Sequence, residues 1–313
     1  MAIIRTVLGD IPGEDLGPTL PHEHVQVAFV EHDAYKANPA DRDAARQTML
    51  PYLAELRDLG CTALIDCTPS GLGRDPRLLQ ELSRESGVHL LTNTGFYQLP
   101  WLPVHVETAS VETLAAHFMD EAENGLDGTG IRPGFIKIAL STSDNPLSPL
   151  QERILRAGLI AGKTCGLTVA AHTIGDRPLL DALAVISQES FPVYRFVWVH
   201  ASTGTDSGRQ AALEAGINIE IDTINPATLV QDARLVADLL ISEYRDQILA
   251  STDRGWYDPS LKKQSIKPFA WFWTDFIPTL RTALQESGAS TDLVDHLVVE
   301  NPARIFSILS IVS

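Results

Sequence analysis

Two histidines stand one residue apart in the stretch GPTLPHEHV, residues 17–25. Apolar residues flank them, so the stretch reads as a buried strand. Side chains alternate along a strand, so His22 and His24 point the same way. Two imidazoles on a dry face each need a hydrogen-bond partner, and one metal satisfies both. Other lone polar residues sit in apolar runs further along: Lys137 in GFIKIAL, His172 in LTVAAHT, His200 in RFVWVH and Asp253 in ILASTD. Four histidines and one carboxylate exceed what a single tetrahedral zinc can take while keeping a place for water. They suit two metals if a further anionic ligand bridges them. An ammonium at Lys137 would be repelled by such metals and costly to bury. A neutral lysine that has reacted with carbon dioxide is a carbamate, a carboxylate analogue, and supplies the missing bridge.

The elements that must position these groups are eight short apolar runs: 19–25, 63–68, 89–96, 135–140, 167–173, 195–200, 217–222 and 248–253. Amphipathic segments lie between them, among them AARQTMLPYLAELRDLG, DPRLLQELSRES and LSPLQERILRAGLIAGKTCG. Apolar strands alternating with helices predict parallel strands covered on both faces. The fold class is α/β, and eight such units match a (β/α)8 TIM barrel spanning 1–313 as one domain. A doubly wound open sheet is the rival, but nothing like GxGxxG follows the first run. In a barrel of this kind function belongs to the C-terminal strand ends, where the lone polar residues stand. Glycines after helical segments, as in ELRDLGC, KTCGL and LEAGI, suit left-handed caps. Asp75 reads as an N-cap before Pro76, with Arg74 shaping the same loop. The aromatic segment GWYDPSLKKQSIKPFAWFWTDF predicts a loop over the mouth plus a turn of helix. The tail LVDHLVVENPARIFSI predicts a closing helix capped near Asn301 and Pro302.

The chain has 313 residues, a net charge of −16 and a 44% hydrophobic content. Such acidity disfavours nucleic acid and anionic membrane surfaces as partners; the expected partner is a small-molecule substrate. The longest apolar runs are too short to span a bilayer, and MAIIRTVLGDIPGED lacks the pattern of a signal peptide. Three cysteines, Cys61, Cys67 and Cys165, make no disulfide framework. The expectation is a cytoplasmic protein. His32, His89, His105, His117 and His296 read as surface or structural.

At this point the chain resembles the phosphotriesterase-like branch of the amidohydrolase superfamily, from the first strand to the last helix. The resemblance rests on GPTLPHEHV, GLGRDPRLL, NTGFY, GFIKIA, the single His172 and His200, STD and NPARIF, taken in this order. It implies a binuclear centre: His22, His24 and Asp253 on one divalent metal, His172 and His200 on the other, with carbamylated Lys137 and a hydroxide between them. Zinc is the first expectation, and iron, cobalt or manganese suit the same donors. Asp253 is then placed to accept the proton of the attacking water. Tyr97 matches a tyrosine beside the metals in lactonase members. Trp256 and Arg254, next to Asp253, are candidates for the substrate pocket. The resemblance also implies a homodimer.

Two segments depart from the lactonase pattern. Asp222 is followed by Thr223, Ile224 and Asn225 rather than by an arginine, and the eighth strand reads STDRGW, without the histidine that many relatives carry before the Asp and with Arg254 next to it. The favoured reading is hydrolysis of a lactone or carboxyl ester, with organophosphate triesters as a side activity. A phosphotriesterase or an amide hydrolase would use the same centre. A metal-free binding barrel is the alternative outside enzymes.

Overall fold

The computed structural model describes residues 2–30, 34, 40–261 and 264–308. His32, assigned above to the surface, lies outside them. The chain opens with an antiparallel hairpin, β1 (Ile3–Thr6) and β2 (Gly9–Pro12). Its outer strand is mostly exposed and carries no run of apolar residues, so sequence pattern did not announce it.

Every apolar run named above becomes a strand. These are β3 (Thr19–Glu23), β4 (Ala63–Asp66), β5 (His89–Leu91) continued by β6 (Asn93–Thr94), β7 (Phe135–Ser141), β8 (Val169–Thr173), β9 (Phe196–Val199), β10 (Asn218–Ile221) and β11 (Ile248–Ala250). Neighbours pair in parallel, β3-β4-β5 in one ladder and β6 through β11 in the other. Thr92 interrupts the third barrel strand. There the Asn93 amide donates to the carbonyls of Asp66 and Thr68, at 3.0 and 3.1 Å, and holds the strand against β4.

A helix follows each strand: α1 (Arg42–Asp58), α2 (Pro76–Ser86), α3 (Val111–Asn124), α4 (Pro149–Cys165), α5 (Arg177–Gln188), α6 (Asp206–Glu214), α7 (Leu229–Ile241) and α8 (Ile277–Glu286). The local signals act as their chemistry dictates. Asp75 caps α2 by accepting the N–H groups of Arg77 and Leu78. Ser148 and Gln151 form a capping box on α4. Gly87 and Gly166 close α2 and α4 with φ of 74° and 70°. The fold is therefore a TIM barrel with two apolar layers. One fills the inside of the cylinder, from Ala63, Ile65, Leu91, Phe135, Ala170, Val197 and Leu249. The other lies between strands and helices.

The seam between β3 and β11 is closed differently from the rest. No ladder joins these strands among the described residues. The buried Glu23 carboxylate bridges them instead. Its Oε1 accepts Ser251 Oγ–H at 2.9 Å, Thr252 N–H at 3.0 Å and Thr252 Oγ1–H at 2.7 Å, and its Oε2 accepts Arg254 N–H at 2.8 Å. Burial pushes the Glu23 carboxyl up to about 7, against the pull of these donors.

The aromatic segment after β11 is pinned to the mouth by Val27 N–H on the Tyr257 carbonyl and Tyr257 N–H on the Val25 carbonyl. It then enters a π-type turn at Phe272–Phe276, with both end residues buried. The tail corrects one expectation. Asn301 and Pro302 do not cap a helix; the helical path runs from Leu293 through Ile305. A π-type turn at His296–Glu300 widens the spacing just before Pro302, whose missing N–H would break an α-helical ladder. Among the described residues no helix is long and apolar enough to cross a membrane.

Candidate metal centre

His22, His24, Lys137, His172, His200 and Asp253 come from β3, β7, β8, β9 and β11 or their ends, yet they line one cavity of about 90 Å3 at the C-terminal end of the strands. Two backbone features aim the outermost members inward. His200 and Asp253 take φ of 66° and 49°, left-handed values that non-glycine residues rarely adopt. Each stands just after its strand, so the chain turns sharply there. Such outliers gather at functional sites.

Hydrogen-bond accounting assigns the imidazole nitrogens. His22 Nδ1 lies 3.1 Å from Glu220 Oε2 and 3.0 Å from Asp222 Oδ2. His200 Nδ1 lies 2.9 Å from Asp222 Oδ1. Ionised carboxylates only accept, so both Nδ1 atoms carry the proton. Thr68 gives its own hydroxyl proton to the Gln26 carbonyl and so accepts from His24 Nδ1 at 2.8 Å. In the neutral form of these rings three Nε2 lone pairs face inward. His24 Nε2 stands 3.1 Å and His22 Nε2 3.8 Å from Asp253 Oδ1, and His200 Nε2 stands 2.8 Å from His172 Nδ1. Lone pairs converging on a carboxylate want a cation between them, and imidazole plus carboxylate is a donor set for divalent ions. Carboxylates behind the ligating rings are the usual support for such ligands.

The electrostatics agree with the geometry. Burial lowers His24 despite the nearby Asp253. Burial, reinforced by His200 and Lys137, holds His172 well below the usual imidazole range. Both rings are thus neutral donors. Burial alone would raise Asp253, but His22, His24 and His200 outweigh it and keep the carboxylate ionised well below its ordinary range. His22 behaves oppositely. Burial pulls it down, yet the carboxylates of Asp253 and Glu220 raise it well above the ordinary value, so in the metal-free chain a proton on Nε2 takes the side of the ring that a cation would take. The pocket holds more negative than positive potential around that ring.

Lys137 is 2% exposed and lines the cavity. The Tyr97 hydroxyl lies 3.3 Å from His172 Nε2, and burial pushes its acidity beyond reach, so it stays a hydroxyl. Trp256 lines the pocket with its ring edge-on to His24 at 6.0 Å. Arg254 is not brought to the cavity. Its guanidinium lies 5.3 Å over the Trp271 ring, and Arg254 is not among the residues that line the cavity. Sequence reasoning missed Glu220, Cys67 and Thr68. Glu220 and Asp222 repeat, in INIEID, the one-residue spacing of the histidine pair, and that signal was there to be read.

Comparison with known proteins places the chain among related sequences along its length. A model of the phosphotriesterase family matches residues 2–306. A phosphotriesterase homology protein of Escherichia coli (strain K12) is 28% identical over 295 residues, covering 93% of this chain and 98% of that protein. An aryldialkylphosphatase of Saccharolobus solfataricus is 25% identical, covering 95% of this chain and 97% of its own. An N-acetyltaurine hydrolase of Bos taurus is 24% identical, covering 96% and 97%. A solved lactonase from Listeria monocytogenes superposes with a TM-score of 0.85 at 22% identity, covering 99% of this chain and all of that one, and shares the fold.

Proposed function

The chain belongs to the phosphotriesterase family, and on that premise we propose that it is a metal-dependent hydrolase acting on a lactone or carboxyl ester, with organophosphate triesters as a side activity. The observation that carries this reading is the convergence of six side chains, from residue 22 to residue 253, on one cavity at the open end of the barrel. His22, His24 and Asp253 would hold one divalent ion and His172 and His200 a second, with Lys137 as a carbamate between them. Bound there, the two ions would supply an acidified water and a polarised carbonyl oxygen.

The residues of the chain do the rest. Asp253, kept ionised by its histidine neighbours, accepts the proton of the attacking water and returns it to the leaving oxygen. Tyr97 keeps its proton and donates a hydrogen bond to the substrate oxygen. Trp256 shields one wall of the pocket and gives the substrate an apolar surface. Arg254, stacked on Trp271, has no part in this scheme.

A panel of γ- and δ-lactones, aryl esters, paraoxon-type triesters and N-acyl amides, assayed with the zinc-loaded protein, tests the proposal. Turnover of lactones or esters above the others is expected. Turnover of an amide alone overturns the substrate class in favour of the chemistry named for the N-acetyltaurine hydrolase relatives.

A further inference from the structure

Glu220 is a buried acidic group next to the centre that the hydrolytic scheme leaves without a task. It stands on β10, two residues before Asp222, and is 1% exposed. The other side chains filling this interior are largely apolar, among them Ile65, Val197 and Leu249. Its Oε2 lies 3.1 Å from His22 Nδ1, and its Oε1 meets no donor among the described residues. A buried carboxylate with one oxygen unserved is costly to the folded chain.

Asp222 does not make Glu220 redundant. Its Oδ1 serves the His200 ring and its Oδ2 already accepts the His200 backbone N–H at 3.1 Å. His22 Nδ1–H therefore shares an Asp222 oxygen that is in use, and Glu220 Oε2 is the acceptor that serves His22 alone. The three rings show a gradient: His24 is held by a neutral hydroxyl, His200 by one carboxylate, His22 by two.

We propose that Glu220 is a positioning residue. It fixes the His22 tautomer and ring so that Nε2 faces the metal position, and its buried charge raises the affinity of the centre for divalent cations at the expense of the metal-free fold. The inference rests on the metal reading above. It differs from a structural prop in that the two effects of removing Glu220 have opposite signs.

The test uses the full chain, zinc alone as probe, and two variants. Glu220→Gln keeps an oxygen for the His22 N–H but loses the charge. Glu220→Met loses both at similar volume. Zinc affinity is read by chelator competition, and the thermal midpoint is read on metal-free protein. Glu220→Met is expected to bind zinc about 10–100-fold more weakly, Glu220→Gln to recover part of that loss, and both metal-free variants to melt at or above the wild-type midpoint. Unchanged zinc affinity in Glu220→Met overturns the inference, and so does a joint fall of affinity and metal-free stability. Wild-type protein that takes up zinc while the variants match it sinks this inference alone. Wild-type protein that takes up none sinks the metal reading and this inference with it.

Discussion

Arg74 and His22 each sit in a buried knot of charge, one between the loop after β4 and helix α3, the other inside the barrel. The first knot is closed. The Arg74 guanidinium meets Glu121 at 2.7 and 3.1 Å, Asp127 at 3.0 Å and the Asn93 carbonyl at 3.0 Å, leaving only Nε without a partner. Thr94 serves the same Glu121 carboxylate. The second knot is open. Glu220, Asp222 and Asp253 are paired with imidazoles rather than with a guanidinium, and one Glu220 oxygen has no donor among the described residues. A cluster that only holds structure meets its carboxylates with a cation of the chain. A cluster left with surplus donors of one sign, at the mouth of a barrel, is waiting for something from outside it.

The comparison can be broken most forcefully at Asp253. Asp253→Asn should lower turnover about 10³–10⁴-fold on whichever substrate the panel identifies, with an unchanged circular dichroism spectrum. Near-wild-type turnover would remove the proton role.

Next in size is Arg74→Met, which leaves Glu121 buried without its cation. Urea unfolding should show a loss of about 3–5 kcal/mol, while zinc uptake by the folded fraction stays at the wild-type level. Zinc uptake falling with stability would mean that the two knots are not separate.

The closed knot also predicts a pH dependence. Burial would raise Glu121, but Arg74, together with the bond from Thr94, lowers it below the ordinary 4.5. The folded carboxyl thus binds its proton less tightly than the unfolded one. The stability it contributes is complete above the unfolded value and drains away as pH falls through the folded value. Metal-free Glu121→Gln should be less stable than wild type at neutral pH, and the gap should narrow as the solution is acidified below about pH 4.5. A gap constant with pH would contradict the ion pair.

The smallest effect belongs to Arg254→Ala, which loses a cation–π contact with Trp271. About 0.5–1 kcal/mol of stability should go, with KM for a neutral substrate unchanged. A raised KM would return Arg254 to the pocket.

Much of the barrel and of its candidate site was legible because the informative residues contradict their surroundings. A histidine or lysine inside or closing an apolar run stands out, and the period-2 pattern says which way it faces. What escaped notice did so for physical reasons. Glu220 sits in a strand that reads as ordinary alternation, and its environment is supplied by β3, about 200 residues away in sequence. Glu23 looked like a spacer between two histidines, while its carboxylate joins two strands. Arg254 was placed at the mouth by adjacency, but neighbouring side chains diverge and its guanidinium packs on Trp271. Asn301 and Pro302 carry the signature of a helix boundary, and a widened turn absorbs it.

The Glu23 bridge has a consequence for biosynthesis. The groups it joins lie 229 residues apart along the chain, so a polypeptide still emerging from the ribosome holds the His22 and His24 rings for most of its synthesis without the partners that complete their surroundings. The ring of strands can shut only in the final moments of assembly, when the eighth strand arrives. A chain shortened before residue 251 would lack both the bridge and the Asp253 carboxylate that faces the two rings.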